Sequence, residues 1–286
     1  MADQPRSGRL TRRGLAGAAL LPASLALIQP AQAATAGETT FERVRRTRTL
    51  RIAALPGELP YFQKDIVSGG WKGGAIDMAQ DIAKVFDAKL AYVEATYGTS
   101  ILDLQSNKVD LAFALNPTAQ RALSIGFTHP MIIHPFGCLA KPGFNPTNWA
   151  DIDKPNIRVG FDIGSLHETC AKRFAPHAQH LGFPNRDDAI LALQSGKIDA
   201  DILAAILGLS AIGKNPSLGA YHLLHDPLVA LPSCLGIQWE QDTRFRDVLD
   251  AWLDYNRGIG QIREWLLDGL ALSGVKRRQV PAEVTF

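Results

Sequence analysis

Leu104-Gln105-Ser106-Asn107-Lys108-Val109-Asp110 returns later in the chain as Leu193-Gln194-Ser195-Gly196-Lys197-Ile198-Asp199. In both copies a helix pattern ends in a polar turn and a buried strand begins. The same plan surrounds each copy. Around the first, residues 50–54 read as a strand. Residues 75–86 read as a helix, with Ile76, Ala79, Ile82, Ala83 and Phe86 at helical spacing. Residues 90–93 read as a strand, 100–106 as a short helix and 109–114 as a third strand. Around the second copy, 158–161 is a strand, 166–174 a helix opened by Ser165, 188–195 a helix and 198–203 a strand. Alternation of this kind predicts an α/β fold with mostly parallel sheets flanked by helices. A repeat at the same place in two similar units predicts two like-built lobes.

Turn-rich Lys141-Pro142-Gly143-Phe144-Asn145-Pro146 joins the two units. After the second unit come two amphipathic helices. Phe245, Val248, Leu249, Trp252 and Leu253 form one apolar stripe, and Ile262, Trp265 and Leu266 another; stripes of this kind are core. Residues 273–286 show no periodicity and carry Lys276-Arg277-Arg278, so a flexible, solvated C-terminal tail is expected.

Residues 1–33 have the layout of a cleavable signal peptide: Arg6, Arg9, Arg12 and Arg13, an apolar run over 14–28, then Ala31-Gln32-Ala33. Thr11-Arg12-Arg13-Gly14-Leu15 is similar to the twin-arginine export signal; a general secretory signal holding two arginines is the other reading. The run is too short, and too rich in Gly and Ala, for a membrane span. This segment holds four of the 30 Lys and Arg but one of the 28 Asp and Glu, so the remainder is close to neutral. That removes any charge argument for nucleic acid or an anionic membrane. A composition of 46% hydrophobic and 20% charged residues is that of a globular protein. A soluble, periplasmic monomer is expected. Cys138, Cys170 and Cys234 allow at most one internal bridge. Neither His177 with His180 nor His222 with His225 has a clear third ligand, so no metal and no cofactor is expected.

Several local patterns follow in order. Leu59-Pro60-Tyr61-Phe62 comes after the first strand, and Gly74-Ala75-Ile76-Asp77-Met78-Ala79 opens the first long helix. Thr118-Ala119-Gln120-Arg121 precedes Phe127-Thr128-His129-Pro130, and Gly164-Ser165 heads the second unit's first helix. Gly258-Ile259-Gly260, Ile262 and Trp265 close the series. In these patterns, from residue 50 to about 270, the chain resembles the periplasmic amino-acid-binding proteins, the solute-binding protein family 3 of ABC uptake systems. The resemblance implies a type II periplasmic-binding-protein fold of two lobes joined by two crossing strands, with the ligand between them. The lobes are placed at residues 40–135 plus 236–272 and at 136–235. A membrane permease of an ABC transporter is the implied partner. On the same ground Cys138 and Cys234, which flank the lobe boundaries, are expected to lie close together on the crossing segments.

The resemblance gives Arg121 the ligand carboxylate, and its chemistry agrees: a guanidinium offers a fixed fork of donors that matches a carboxylate. Ser165-Leu166-His167-Glu168 reads as a capping box, and a helix N-terminus favours an anion. Ser165 and Leu166 are therefore the second anchor. Asn116 and Thr118 can hydrogen-bond a ligand head group or cap the turn. Tyr61 and Tyr97, with Phe62 and Trp71, are candidates to wall the ligand, although isolated aromatics more often serve the core. One departure stands out. The family's acid for an α-ammonium falls at Ala204, so an organic acid or an unusual amino acid is expected unless Glu94, Asp162 or Asp201 replaces it. The alternative function is an enzyme resembling the cyclohexadienyl and arogenate dehydratases, with Glu168 beside His167 as its general acid.

Overall fold

The structure is a computed structural model, and it describes residues 37–285. The export signal expected over residues 1–33 lies outside the described residues. Helix α1 (Thr40–Thr47) is capped by Thr39 and leads into β1 (Thr49–Ala54). A short hairpin, β2 (Gln63–Lys64) with β3 (Trp71–Lys72), comes before α2 (Gly74–Val85), β4 (Lys89–Glu94), α3 (Tyr97–Gln105) and β5 (Leu111–Leu115). These strands pair in parallel, in the order β4-β1-β5. After one turn of helix, α4 (Ala119–Ala122), the long β6 (Ile125–Ala140) carries the chain to the second half of the sheet.

There α5 (Trp149–Ile152), β7 (Arg158–Asp162), α6 (Leu166–Phe174), β8 (Gln179–Phe183), α7 (Arg186–Gln194) and β9 (Ala200–Ala204) repeat the plan. The strands again pair in parallel, in the order β8-β7-β9. Each half places its first strand between its second and third. Helix α8 (Ala205–Lys214), β10 (Ala220–Leu223), β11 (Ala230–Gln238), α9 (Arg244–Gly258) and α10 (Gln261–Ala271) follow. Strands β6 and β11 lie between the two parallel triplets, antiparallel to their neighbours, and with β10, which pairs with β6, make one nine-stranded sheet. Residues 125–135 of β6 pair with β11, and residues 136–140 with β9.

The repeated heptapeptide has a physical reason in each half. The turn ends a helix on a residue with positive φ, Asn107 (56°) or Gly196 (71°), the residue types that tolerate it. The closing aspartate then clips the new strand to its neighbour. Asp110 N–H donates to Arg51 O at 2.8 Å while its carboxylate accepts from Arg51 N–H at 2.7 Å and from Arg51 Nη2 at 2.6 Å. Asp199 does the same with Arg158, at 2.8, 2.9 and 2.8 Å. The two strands that follow, β5 and β9, are buried along their whole length.

The helices α9 and α10 present the expected stripes, and Trp252 stacks on Trp265 with ring centres 5.7 Å apart. One strand went unread in the sequence, and two expectations need correction. Strand β8, Gln179-His180-Leu181-Gly182-Phe183, is an edge strand too polar and half-buried to stand out in the sequence. The segment after α10 is not a free tail. Val275 and Val284 are buried, and Thr285 exchanges two backbone hydrogen bonds of 2.8 Å with Ile133. Cys138 and Cys234 are far apart and free. Cys234 faces Pro130 on β6, eight residues from Cys138, or about 26 Å along a strand; Cys138 instead faces Ile202 and His222.

The two clips differ in depth, and this predicts different costs. Asp110 is fully buried and gathers Arg43 and Arg51, whose side chains are 9% and 24% exposed. The partners of Asp199 are more open, Arg158 at 36% and Lys141 at 43%. Asp110→Asn is expected to cost about 2–4 kcal/mol, because it strands buried charge. Asp199→Asn should cost less, through solvent screening. Urea unfolding followed by circular dichroism measures both; a larger loss for Asp199→Asn contradicts this ranking.

Candidate functional site

Residues just past the carboxyl ends of all six parallel strands line two cavities that share Tyr97 as a wall. Carboxyl ends are where open parallel sheets build sites, because loops and helix N-termini converge there. The smaller cavity holds about 10 Å³, room for roughly one water. It is lined by Tyr61, Tyr97, Asn116, Arg121, Ser165 and Leu166, six of the seven residues expected from sequence, together with His134, His167 and Ala204. The larger holds about 540 Å³, between residues 55–58 and 94–99 on one side and Asp162 and 184–188 on the other.

Arg121 spans the two halves of the sheet. Its Nη1 donates to Asn116 O at 2.9 Å and its Nη2 to Gly164 O, in the second half, at 2.8 Å. Burial lowers its pKa, with Tyr97 opposing the shift, but a guanidinium stays protonated in proteins. Thr118, the seventh expected residue, lines neither cavity. Its Oγ1 caps α4 by accepting from Arg121 N–H at 3.1 Å, so it positions Arg121. The Asn116 amide donates to Pro232 O at 2.7 Å, tying its loop to β11. Gly164, at φ 77°, lets the halves touch: a Cβ there would lie 2.8 Å from Gly98 Cα.

Ser165 caps α6, accepting from the N–H groups of His167 at 3.1 Å and Glu168 at 3.4 Å. The reciprocal arm differs from the expected box, for Glu168 accepts from Gly164 N–H at 2.8 Å and from Lys172 at 2.6 Å. Burial would raise the Glu168 pKa, but these partners hold it below its usual value. It is an ionised carboxylate bonded away from the cavities, which removes it as the general acid. Phe62 and Trp71 are also corrected. Phe62 packs edge-on against Phe113 and Trp71, Trp71 stacks on Tyr92, and neither lines a cavity.

Behind Tyr97 lies a buried ion cluster of which the sequence reading found only parts. Arg186, the first residue of α7, donates from Nη1 to Asp201 at 2.7 Å and from Nη2 to Asp162. Its Nε lies 3.7 Å from Glu58. Glu58 comes from the loop after β1 and also accepts from the Tyr97 hydroxyl at 3.0 Å. All four charged side chains are at most 4% exposed. One guanidinium cannot neutralise three carboxylates, and burial disfavours the remaining charge. Burial pushes Glu58 up to about 8 and Asp201 up to about 7, against the pull of Arg186. For Asp162 burial works upward too, but Arg186 and His167 hold it below its usual value. The same three acids keep Arg186 charged despite its burial.

His167 sits between cluster and cavity. Its Nε2 lies 3.4 Å from Ala204 N, and its Nδ1 lies 3.0 Å from Arg186 Nη2 and 3.5 Å from Asp162. Burial lowers its pKa, and burial followed by His167 lowers His134 to about 3, so both rings are neutral. Of the three candidate replacement acids, Asp201 is turned to Arg186 and lines neither cavity, Asp162 lines the larger one, and Glu94 stands at its rim beside Lys64. Glu58 and Arg186 gave no signal in the sequence. A Glu in a Pro-Gly turn and an Arg opening a helix both read as surface charge.

Residues 50–146 match the family of bacterial extracellular solute-binding proteins, family 3. A probable histidine-binding protein of Campylobacter jejuni is 28% identical over 178 residues, 62% of this chain and 68% of that protein. The cyclohexadienyl dehydratase of Pseudomonas aeruginosa is 25% identical over 247 residues, 85% of this chain and 90% of that one. In fold, the chain is similar to an amino acid ABC transporter substrate-binding protein of Streptococcus pneumoniae solved with L-arginine. The TM-score is 0.76 at 22% identity, over 82% of this chain and all of that one. Over residues 50–146 the sequence is similar to the bacterial extracellular solute-binding proteins of family 3, and the fold is similar to that of a solved amino acid ABC transporter substrate-binding protein.

Proposed function

We propose that the chain is a periplasmic binding protein that captures a small carboxylate-bearing ligand between the halves of its sheet, as a monomer, for the permease of an ABC importer. The observation that carries this reading is the Arg121 fork. It stands at the carboxyl end of β5 and spends one arm on a backbone carbonyl of the opposite half. A ligand carboxylate replaces two neutral acceptors with a charged, planar partner, and charge-assisted bonds are about twice as strong as neutral ones. Ser165 and Leu166, at the start of α6, supply the facing wall. The Arg12-Arg13 pair ahead of the apolar run supports export by the twin-arginine route.

Arg121→Ala is expected to weaken binding of the native ligand by about 2–5 kcal/mol while leaving the fold intact. The ligand is identified by mass spectrometry of what denatured, freshly purified protein releases. Titration calorimetry on the folded variant then measures the loss, and unchanged affinity sinks the assignment.

A second reading, an enzyme, is favoured by one observation. Glu58 is a buried carboxyl held protonated near neutral pH beside a cavity, the condition a general acid needs, and one relative is a dehydratase. Glu58→Gln tests the protonation itself. A raised folded-state pKa means that the folded chain keeps a proton the unfolded chain sheds. The stability is therefore highest below about pH 4.5 and falls as pH rises toward about 8. The amide cannot ionise, so the variant should match the parent near pH 5 and gain in melting temperature by pH 9. Equal melting curves at every pH mean Glu58 is ionised throughout. Prephenate turnover by the parent, lost in this variant, establishes the enzyme.

A further inference from the structure

The carboxylate site leaves the larger cavity unused. Its lining holds Glu58, Glu94, Asp162, Asp187 and Asp188, and among the described residues it includes no Lys, Arg or His. Acidic residues alone do not make a site. Here a second observation points the same way. Asp162 is 2% exposed and lines the cavity, yet its Oδ1 has no hydrogen-bond partner. Its other oxygen is engaged by Arg186, which also serves Asp201. The cluster behind the cavity thus holds more acid than base.

The smaller cavity has the opposite character. Apart from Arg121 its lining is tyrosines, Asn116, Ser165, small apolar side chains and two neutral imidazoles, and no carboxylate lines it. An ammonium beside a carboxylate held on Arg121 would find no anion there and would meet the Arg121 charge itself. A cation separated from the carboxylate by a carbon chain passing Tyr97, the shared wall, would reach the acidic cavity.

We infer that the ligand is an ω-amino or ω-guanidino carboxylic acid without an α-amino group, its cation seated among Glu58, Asp162 and Asp187. This rests on the carboxylate reading of Arg121. It also reconciles the missing acid at Ala204 with the surplus of acid beyond Tyr97.

Titration calorimetry on the exported protein, dialysed free of ligand, tests it with 6-aminohexanoate and 4-guanidinobutyrate. The comparison set is L-lysine, L-arginine, hexanoate and cadaverine. The two deaminated ω-cations should bind about tenfold or more tighter than the α-amino acids and than hexanoate. Asp187→Asn, at an exposed position, should shrink the preference for 6-aminohexanoate over hexanoate by about threefold. Glu94→Gln at the rim is an independent second variant with the same expectation. Tighter or equal binding of L-lysine and L-arginine overturns the inference. Hexanoate binding as tightly as 6-aminohexanoate, and lost in Arg121→Ala, overturns it while leaving the carboxylate reading intact. Cadaverine binding as tightly as 6-aminohexanoate, indifferent to Arg121→Ala, supports the cation seat and removes the carboxylate reading instead. No binding by any of the six overturns both.

Discussion

Arg186 faces three buried carboxylates, and much of the site follows from that imbalance. It ties the loop after β1, through Glu58, to the ends of β7 and β9, through Asp162 and Asp201. Replacing it with an uncharged residue would bury three acids with no counter-ion, a loss of several kcal/mol. The cluster is therefore a structural necessity once the acids are inside. It also leaves more carboxyl groups than cations beside the cavity, with Glu58 held protonated there near neutral pH. Tyr97 sits at the boundary, bonded to Glu58 on one side and packed edge-on against His167, with ring centres 5.9 Å apart.

Helix starts at equivalent places build this arrangement. Tyr97 is the first residue of α3 and Arg186 the first of α7, each after an N-cap whose side chain accepts from the backbone, Thr96 or Asn185. The two helices hold the same position in the two halves. The repeat therefore supplies a matched pair of side chains facing one crevice, one aromatic and one cationic. The duplication of topology makes the crevice, and divergence at the first helical residue makes it chemically asymmetric.

The same logic decides what the sequence shows and what it hides. The βαβαβ units were legible because β5 and β9 are apolar along their length and because Asp110 and Asp199 must follow a turn that admits positive φ. Strand β8 was not, since an edge strand keeps polar residues on its open side. Arg121, Ser165 and Tyr61 were legible only through motif order; nothing in their local composition separates a cleft arginine from a surface one. Glu58 and Arg186 escaped because a buried ion pair is written in the same letters as an exposed one. Cys138 and Cys234 were misplaced because β6 is long. Its two ends pair with different partners, and a residue at one end is remote from anything opposite the other.

Among the described residues, polar contacts across the crevice include the Arg121 bond to Gly164 O and the approach of Glu58 to Arg186. The smaller cavity is correspondingly closed to about 10 Å³, so a ligand enters only if the halves part and both contacts open. A ligand favours closure only by the difference between its interactions in the closed and open states. One bearing a carboxylate alone would restore the first contact and gain nothing from the acids at the second. One bearing a distant cation as well would restore the first, offer a donor to the unpartnered Oδ1 of Asp162 and favour ionisation of Glu58. The closed state is then stabilised at both ends of the crevice, on either side of Tyr97. On the proposed reading, selectivity for a two-ended ligand would follow from where the carboxyl groups lie in the fold.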